Sequence, residues 1–517
     1  MGRIGVRSLK KMNGKYRMKS FRLSKSKYLS GLQCHKRLWL EIHKPELAPP
    51  PPPGQQRIFD QGTTVGELAT EDFPDGVLIE ADYLNIPEAT KQTEEALANS
   101  ADVIFEGCFT HDNVLVRPDI ILRNDLGSWN MIEVKSSTSV KKENIHDVAV
   151  QTWVLRGYGL EVERVFLKHI NRECVYPDLS NLFKTEDITE PVEAVLSTIP
   201  NKLSEYKSML VKHEPNNSIG GHCSNPYDCQ FIDYCWKDVP EYSIFNVPCL
   251  RWPIKERLIQ GNHFTIDQLP TEIPLGNKQK EYVESLEQRK SIVNRDGISD
   301  KLDELEYPLY FLDFETDNPA VPRFDGMHPY ELFPFQYSCH IISRDGKVIH
   351  KEYLHESKSD PRKLLAEALV KAIGKKGTVI AYYVPFERGV LNSLVEWFPE
   401  HSVALGSIAD RLWDQLDIFK KYYIDYRFKG SNSLKNVLPV IVPSMNYENL
   451  AVSDGSEAQV TWNEMIRSPE TDEKSKLINE LKEYCGQDTM AMVEIHYHLN
   501  RLIGFPFPSE DKPEVIV

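Results

Sequence analysis

The chain has 517 residues, 41% of them hydrophobic and 10% aromatic, and a formal net charge of -15. This length exceeds what one hydrophobic core usually organises, so two domains and a connector are expected, and the composition excludes disorder as the default state. The acidic total argues at first against a phosphate-bearing partner. Metal-dependent nucleases, however, concentrate carboxylates to hold cations, and a local basic stripe can coexist with an acidic sum.

Residues 1–28 carry ten Lys/Arg and no Asp or Glu. Residues 1–22 read as a basic N-terminal arm, with an upstream start codon (Met18 would serve equally as first residue) or a mitochondrial transit peptide as competing explanations. No apolar run approaches the roughly 20 residues of a membrane span and no secretory core opens the chain, so a soluble, cytoplasmic protein is expected. Its nine cysteines should then be reduced. A clustered subset of them points to metal rather than to disulfides.

Ala48–Gly54 (APPPPPG) reads as a stiff surface loop between an entry helix and the core. From Asp102 to Glu133 the segments VIFEGCF, NVLVRPDIIL and SWNMIEVKSS, separated by turn residues, read as a meander. A helix is expected through Val148–Gly157 and a strand at Val162–His169. Residues 241–305 read as a helical connector with a charged helix around Lys278–Ile292. A second domain opens with the apolar strand YPLYFLDFET, and no internal repeat is present.

The first chemical constellation is Arg-Pro-Asp at 117–119 on one expected strand and Glu-Val-Lys at 133–135 on the next. Positions i and i+2 of a strand share a face, so Glu133 and Lys135 point the same way, toward a cation that Asp119 can also ligate. Two carboxylates fix Mg²⁺ or Mn²⁺, which polarises a phosphate and activates water, while the lysine stabilises developing charge. Gln151, on the following helix, could hold the lysine or the phosphate. Cys223, Cys229 and Cys235 follow at regular C-x5-C-x5-C spacing, with Cys34 upstream as the well-placed fourth ligand of a soft metal centre. Zinc is the competing occupant, and His222 could replace one thiol. Cys108, Cys174, Cys249, Cys339 and Cys485 are scattered and read as buried small hydrophobes.

These residues resemble the PD-(D/E)xK superfamily, and within it the RecB-like branch that includes AddB and the CRISPR-associated adaptation exonucleases. LSKSKYLSGLQCHKRLWL is similar to the opening of that branch and FDQGTTVGELA to its first helical motif, with Gly66 and Glu67 where a metal-binding histidine is usual. Leu155 stands where the Gln-x-x-x-Tyr motif has tyrosine, with Tyr158 one turn on. The resemblance implies a restriction-endonuclease-like core whose one upstream and three downstream cysteines hold a structural [4Fe–4S] cluster.

The second constellation is Asp313-Phe-Glu315 at the end of the apolar strand, Glu387 after GTVIAYYV, and Tyr484-x3-Asp488 on a late helix. Converging carboxylates repel and are costly to bury unless cations neutralise them, so two divalent ions are the natural occupants, and Tyr484 can orient the attacking water. The pattern resembles the tyrosine variant of the DEDD exonucleases of the RNase-H-like fold, with Glu387 where aspartate is usual and Asp417 as a secondary acidic candidate. From about Leu23 the chain resembles a bacterial and archaeal group in which both halves are fused.

The expected organisation is therefore a mixed α/β chain. It comprises the arm, a PD-(D/E)xK domain over 23–240, the connector, an RNase-H-like domain over 306–507 and a tail over 508–517. The expected function is metal-dependent, exonucleolytic processing of DNA by two active sites, with removal of nucleotides from a 3′ end, in repair, recombination or defence against foreign DNA. An RNA-directed 3′ exonuclease competes within the same chemistry. So does a first half that acts as a binding platform, and a nucleic-acid-binding protein with no catalysis is the third class.

Overall fold

The computed structural model describes residues 21–447 and 450–505. Most of the basic arm and the whole 508–517 tail lie outside the described residues. The chain is mixed α/β, built on two main sheets, and no helix among the described residues is long and apolar enough to cross a membrane.

The first sheet has six strands in simple order: β1 (Val77–Leu78), β2 (Val103–Phe105), β3 (Ile120–Arg123), β4 (Trp129–Lys135), β5 (Val162–Ile170) and β6 (Phe183–Asp187). β4 pairs antiparallel with β3 and parallel with β5. Among the helices packed around this half are α1 (Lys25–Gln33), α2 (Pro53–Thr70) and α3 (Lys142–Tyr158). A parallel neighbour requires a crossover, and α3 supplies it between β4 and β5. It starts six residues earlier than its apolar pattern suggests, and Gly159 at φ 112 ends it in the left-handed conformation that glycine accepts without a steric cost.

NVLVRPDIIL is not one strand. Val114–Val116 pairs with Leu23–Ser24 and Phe109–His111 in a separate three-stranded sheet, while β3 joins the main sheet. Pro118, which has no N–H for a ladder, sits at the break, and Asp119 lies in the gap immediately before β3. The proline run is an exposed loop as expected, and its last residue, Pro53, is the first of α2, where a missing N–H costs nothing.

The second sheet has the order β9-β8-β7-β10-β11, where β7 is Leu309–Asp317, β8 Phe333–Ile342, β9 Val348–Leu354, β10 Thr378–Ala381 and β11 Leu412–Asp414. β7, β8 and β9 are antiparallel neighbours, and β10 and β11 run parallel to β7. The helices that complete this half are α4 (Val384–Trp397), α5 (Gly455–Met465) and α6 (Asp472–Leu502). The Thr471 hydroxyl accepts from the Lys474 N–H at the start of α6, with Asp472 and Glu473 in the first turn to complement the helix dipole. Leu481, Tyr484, Cys485, Met492, Ile495 and Leu499 form its buried stripe at helical spacing. The connector is more than a linker, because Ile244, Val247, Leu258, Ile266 and Tyr282 form a small core of their own.

The two halves are joined directly. Val65 and Ala69 of α2 share one apolar cluster with Ile132, Val134 and Ala320, and Tyr176 and Met327 are linked through a backbone hydrogen bond of 3.0 Å. Arg57 of α2 donates to the Asp317 carboxylate at the end of β7, which Arg323 and Asn463 also hold. Asp317 is 1% exposed. Arg57→Ala should therefore cost about 1–3 kcal/mol, less than a fully orphaned buried charge because two partners remain. Denaturant unfolding followed separately in each half should show the two transitions moving apart.

Candidate functional site

β4 carries Glu133 and Lys135 on the face turned toward α3. Lys135 Nζ lies 2.6 Å from Glu133 Oε1 and 2.8 Å from Asp147 Oδ2. Asp147 and Gln151 are one turn apart on α3, and the Gln151 amide donates to Glu133 Oε2 at 2.7 Å and to Asp147 Oδ1 at 3.0 Å. Asp119 reaches the same place from the gap before β3, its Oδ2 accepting the Val134 N–H at 2.6 Å. The structure thus brings together all four residues expected for this site.

Two further participants were not named as site residues in the sequence. Asp147 is one. Lys25, in the first turn of α1, is the other, with its Nζ 2.7 Å from Glu133 Oε1. Burial alone would raise the Glu133 carboxyl, but Lys135 and Lys25 overcome it and hold it down at about 2. Asp119 moves the other way, up to about 7, through burial and the neighbouring Glu133 charge. Glu133 therefore already has its counter-cations on side chains of the same chain. Glu67 is exposed, and a side chain at Gly66 would meet open space. Leu155 is core, and Tyr158 packs edge-on against Phe109, so neither replaces the usual tyrosine of the motif.

Cys34, Cys223, Cys229 and Cys235 line one cavity with His222 and Phe231. Cys34 caps the end of α1 and the other three come from the 221–236 segment, so closing this cavity ties the start of the described chain to residues about 190 positions later. Burial raises the Cys34, Cys229 and Cys235 thiols. No three of these four sulfurs appear among the described ligand groups whose atoms all lie within 4.8 Å of one another. A tetrahedral zinc site with Zn–S of about 2.3 Å sets sulfurs only about 3.8 Å apart. Of the remaining cysteines, Cys108, Cys174 and Cys339 are buried as expected, but Cys249 is exposed, and Cys485 is no ordinary core residue.

The second constellation converges at the carboxyl ends of parallel strands, where open α/β sheets place their crevices. Asp313 and Glu315 project from β7, Glu387 from the first turn of α4 just after β10, and Tyr484, Cys485 and Asp488 from α6. Cys485 Sγ is 3.7 Å from Asp313 Oδ2, and single ligand atoms of Asp313, Glu315 and Cys485 all lie within 4.8 Å of one another. Glu387 is 2% exposed and its Oε2 has no hydrogen-bond partner. The Tyr447 hydroxyl donates to Asp488 Oδ1, and Tyr484 reaches the same carboxylate.

Among the described residues no ion pair reaches any of these four carboxylates; Lys435, 5.8 Å from the Tyr447 ring and 6.0 Å from the Tyr484 ring, is the cation that lowers Glu315 and Asp488 from nearby. The electrostatic result is uniform in sign. Burial, followed by the charges of Asp488, Glu315 and Glu387, pushes Asp313 well above the usual carboxylate range. Burial and Asp488 do the same to Glu315, burial lifts Glu387 to about 8, and burial lifts Asp488 to about 6. Tyr447, Lys435 and Cys485 belong to this site, yet none was named as a site residue in the sequence, where Cys485 read as a buried small hydrophobe. Asp417 does not belong to it: it is paired with Lys421 at 2.7 Å, and Asp414, which accepts the Tyr383 N–H at 3.0 Å, is the acidic residue that influences Glu387.

The profile "Domain of unknown function (DUF2779)" matches residues 310–433, which include Asp313, Glu315 and Glu387 but neither Asp488 nor the first half. Among curated proteins, "Uncharacterized protein UU173" of Ureaplasma parvum serovar 3 is 28% identical over 38% of this chain and 31% of its own length. "Uncharacterized protein MG366" of Mycoplasma genitalium is 24% identical over 46% of this chain and 39% of its own length. The chain thus spans less than two-fifths of the curated relatives it matches. A solved structure described as "Crystal structure of SSO0001" aligns with 42% of this chain and 87% of its own, at 15% identity and a TM-score of 0.21. The similarity found is thus to a domain of unknown function in the second half and to uncharacterised relatives over part of the chain.

Proposed function

We propose that this chain is a metal-dependent nuclease, in finer terms a RecB-like PD-(D/E)xK half with a cysteine-held [4Fe–4S] cluster, followed by an RNase-H-like DEDD exonuclease half. The observation that carries the reading is the pair Asp313 and Glu315, which with Cys485 bring ligand atoms within 4.8 Å of one another, while the charges of Asp488 and Glu387 act on Asp313 and the buried Glu387 Oε2 has no hydrogen-bond partner. Such a cluster is stable in its charged form only with divalent cations. Carboxylate donors fit Mg²⁺ or Mn²⁺, and those ions would supply Lewis-acid activation of water and of the scissile phosphate. Asp313, Glu315, Glu387 and Asp488 would hold the metal, while the Tyr447 and Tyr484 hydroxyls fix the Asp488 carboxylate and orient water.

Exposed Tyr383 (51%) and Phe386 (36%) stand at the start of α4 beside Glu387, and offer ring faces on which the terminal bases of a strand can stack. This supports a nucleic-acid substrate. DNA is proposed ahead of RNA, and hydrolysis from a 3′ end ahead of internal cleavage. For the cysteine cavity, four thiols with one contributed from upstream and three from downstream support the cluster, with zinc as the competing occupant.

The occupied state of Glu133 favours a second reading, in which the first half binds nucleic acid and delivers it to the other site. A metal at Glu133 and Asp119 would have to displace Lys25. The deciding assay is Mn²⁺- and Mg²⁺-titrated degradation of end-labelled single- and double-stranded DNA and RNA. If Glu133→Gln with Lys135→Met leaves cleavage untouched while Asp313→Asn with Glu315→Gln abolishes it, the platform reading holds. No degradation of any substrate would overturn both. Lys25→Ala should raise divalent-ion affinity at Glu133 by about tenfold, since one neighbouring charge contributes on the order of 1 kcal/mol. Calorimetric titration in the Glu315→Gln background isolates that site.

A further inference from the structure

Cys485 is fully buried, yet its surroundings are not those of a core cysteine. Its sulfur lies 3.7 Å from an Asp313 carboxylate oxygen and shares a 4.8 Å neighbourhood with ligand atoms of Asp313 and Glu315. It is three residues before Asp488 on α6, so both side chains face the same side of the helix. Glu387, whose charge acts on Asp313, is 2% exposed and its Oε2 has no hydrogen-bond partner. A buried polar atom without a partner is costly unless something outside the protein satisfies it.

We propose that Cys485 supplies a sulfur ligand to a metal held by Asp313 and Glu315, so that this site takes borderline-soft divalent ions such as Co²⁺ and Zn²⁺ in preference to Mg²⁺. The inference rests on the metal-site reading above and deepens it by naming the class of ion. Carboxylates alone suit hard ions, whereas one thiolate shifts the preference toward softer ones. On binding, the thiol gives its proton to bulk water and the sulfur lone pair enters the metal's coordination shell, with no change of oxidation state.

The test uses the full chain, purified anaerobically with its other cysteines loaded. Co²⁺ is titrated into the wild type, Cys485→Ala and Cys485→Ser, and the near-ultraviolet thiolate-to-cobalt charge-transfer band is read as a difference between wild type and variant, which cancels any signal from the four-cysteine cavity. Calorimetry gives Co²⁺ and Mg²⁺ affinities for each protein. The expected result is a band present in wild type and lost in both variants, with Co²⁺ affinity falling about tenfold or more and Mg²⁺ affinity changing by less than about threefold. Co²⁺ bound by wild type without a Cys485-dependent band, and with an unchanged Co²⁺/Mg²⁺ ratio in both variants, would overturn the sulfur ligand while leaving the carboxylate site standing. If wild type binds neither ion at this site, the carboxylate reading falls and takes the inference with it. Thermal unfolding of the metal-free variants shows whether either fails to fold, and the serine variant, nearly isosteric, keeps the comparison interpretable.

Discussion

Glu315→Gln should abolish most metal-dependent cleavage and, at the same time, make the metal-free protein more stable. The rate loss follows from removing a ligand to ions that contribute several kcal/mol to the transition state, about 10³-fold or more. The stability gain follows from the electrostatics of the site. Asp313 and Glu315 are raised well above the ordinary carboxylate range, Glu387 to about 8 and Asp488 to about 6. Below about pH 4 these groups are protonated in both the folded and the unfolded chain and impose no penalty. As pH rises from about 4 to about 8, the folded state holds protons that the unfolded chain has already released, so the stability of the metal-free protein falls across that window, the Asp488 share levelling off near 6 and the Glu387 share near 8. Replacing one carboxylate by an amide relieves part of the repulsion, on the order of 2 kcal/mol near pH 8. Melting curves of wild type and variant at about pH 5 and about pH 8.5, with and without Mn²⁺, read this directly. The Mn²⁺-induced rise in Tm should grow with pH in wild type and shrink in the variant. A Tm unchanged by pH and by metal would show that these four groups do not share a cation.

Cys223→Ser should unfold the first half while the acidic site of the second keeps its metal response. Cys223 lies in the short turn Gly221–Cys223; beyond the cavity this segment is held by Gln33, which donates to the His222 and Tyr227 carbonyls at 2.8 and 2.7 Å, by the Tyr234 hydroxyl on Glu214 at 3.1 Å, and by Trp236 against Phe245. The helix Ile232–Trp236 has only five residues, too short to persist alone. Metal–sulfur bonds here would act as folding energy, because no such site exists in the unfolded chain. The expected outcome is loss of the brown colour and visible charge-transfer absorbance. Rapid proteolysis within residues 214–240 should accompany it, with destabilisation on the order of 5 kcal/mol or more. A variant that folds, stays protease-resistant and retains the chromophore would contradict the cluster. A folded variant that loses only a spectroscopically silent ion would point to zinc.

Legibility in the sequence differs by residue. The strand–carboxylate signatures around Asp313 and Glu133 are readable because a two-residue period places i and i+2 on one face whatever the surrounding fold. Tyr484 and Asp488 are readable for the matching reason on a helix. The break at Pro118 is available in principle, since proline interrupts a ladder, but which halves of NVLVRPDIIL join which sheet depends on partners far away in sequence. Tyr447 carries no local signal, Asp147 could have been found only from its one-turn spacing to Gln151, and Lys25 lies in the opening segment but its contact with Glu133 spans 108 residues. Cys485 misleads: a lone cysteine on an apolar helical stripe looks like core until the strand it packs on proves to carry Asp313.

Residue type and short-range periodicity were enough to determine the mixed α/β class, the two acidic constellations, the cysteine quartet and the apolar faces of the long elements. Tertiary structure alone decided that Glu133 is neutralised by two lysines of its own chain whereas Asp313, Glu315, Glu387 and Asp488 face one another without a paired cation. It also decided that the halves are fixed by Arg57, Asp317 and a shared apolar cluster rather than merely tethered. The physical reason is that charge balance and desolvation depend on distance in space. A spacing pattern states which groups share a face, but only the packed fold states which opposite charges come with them.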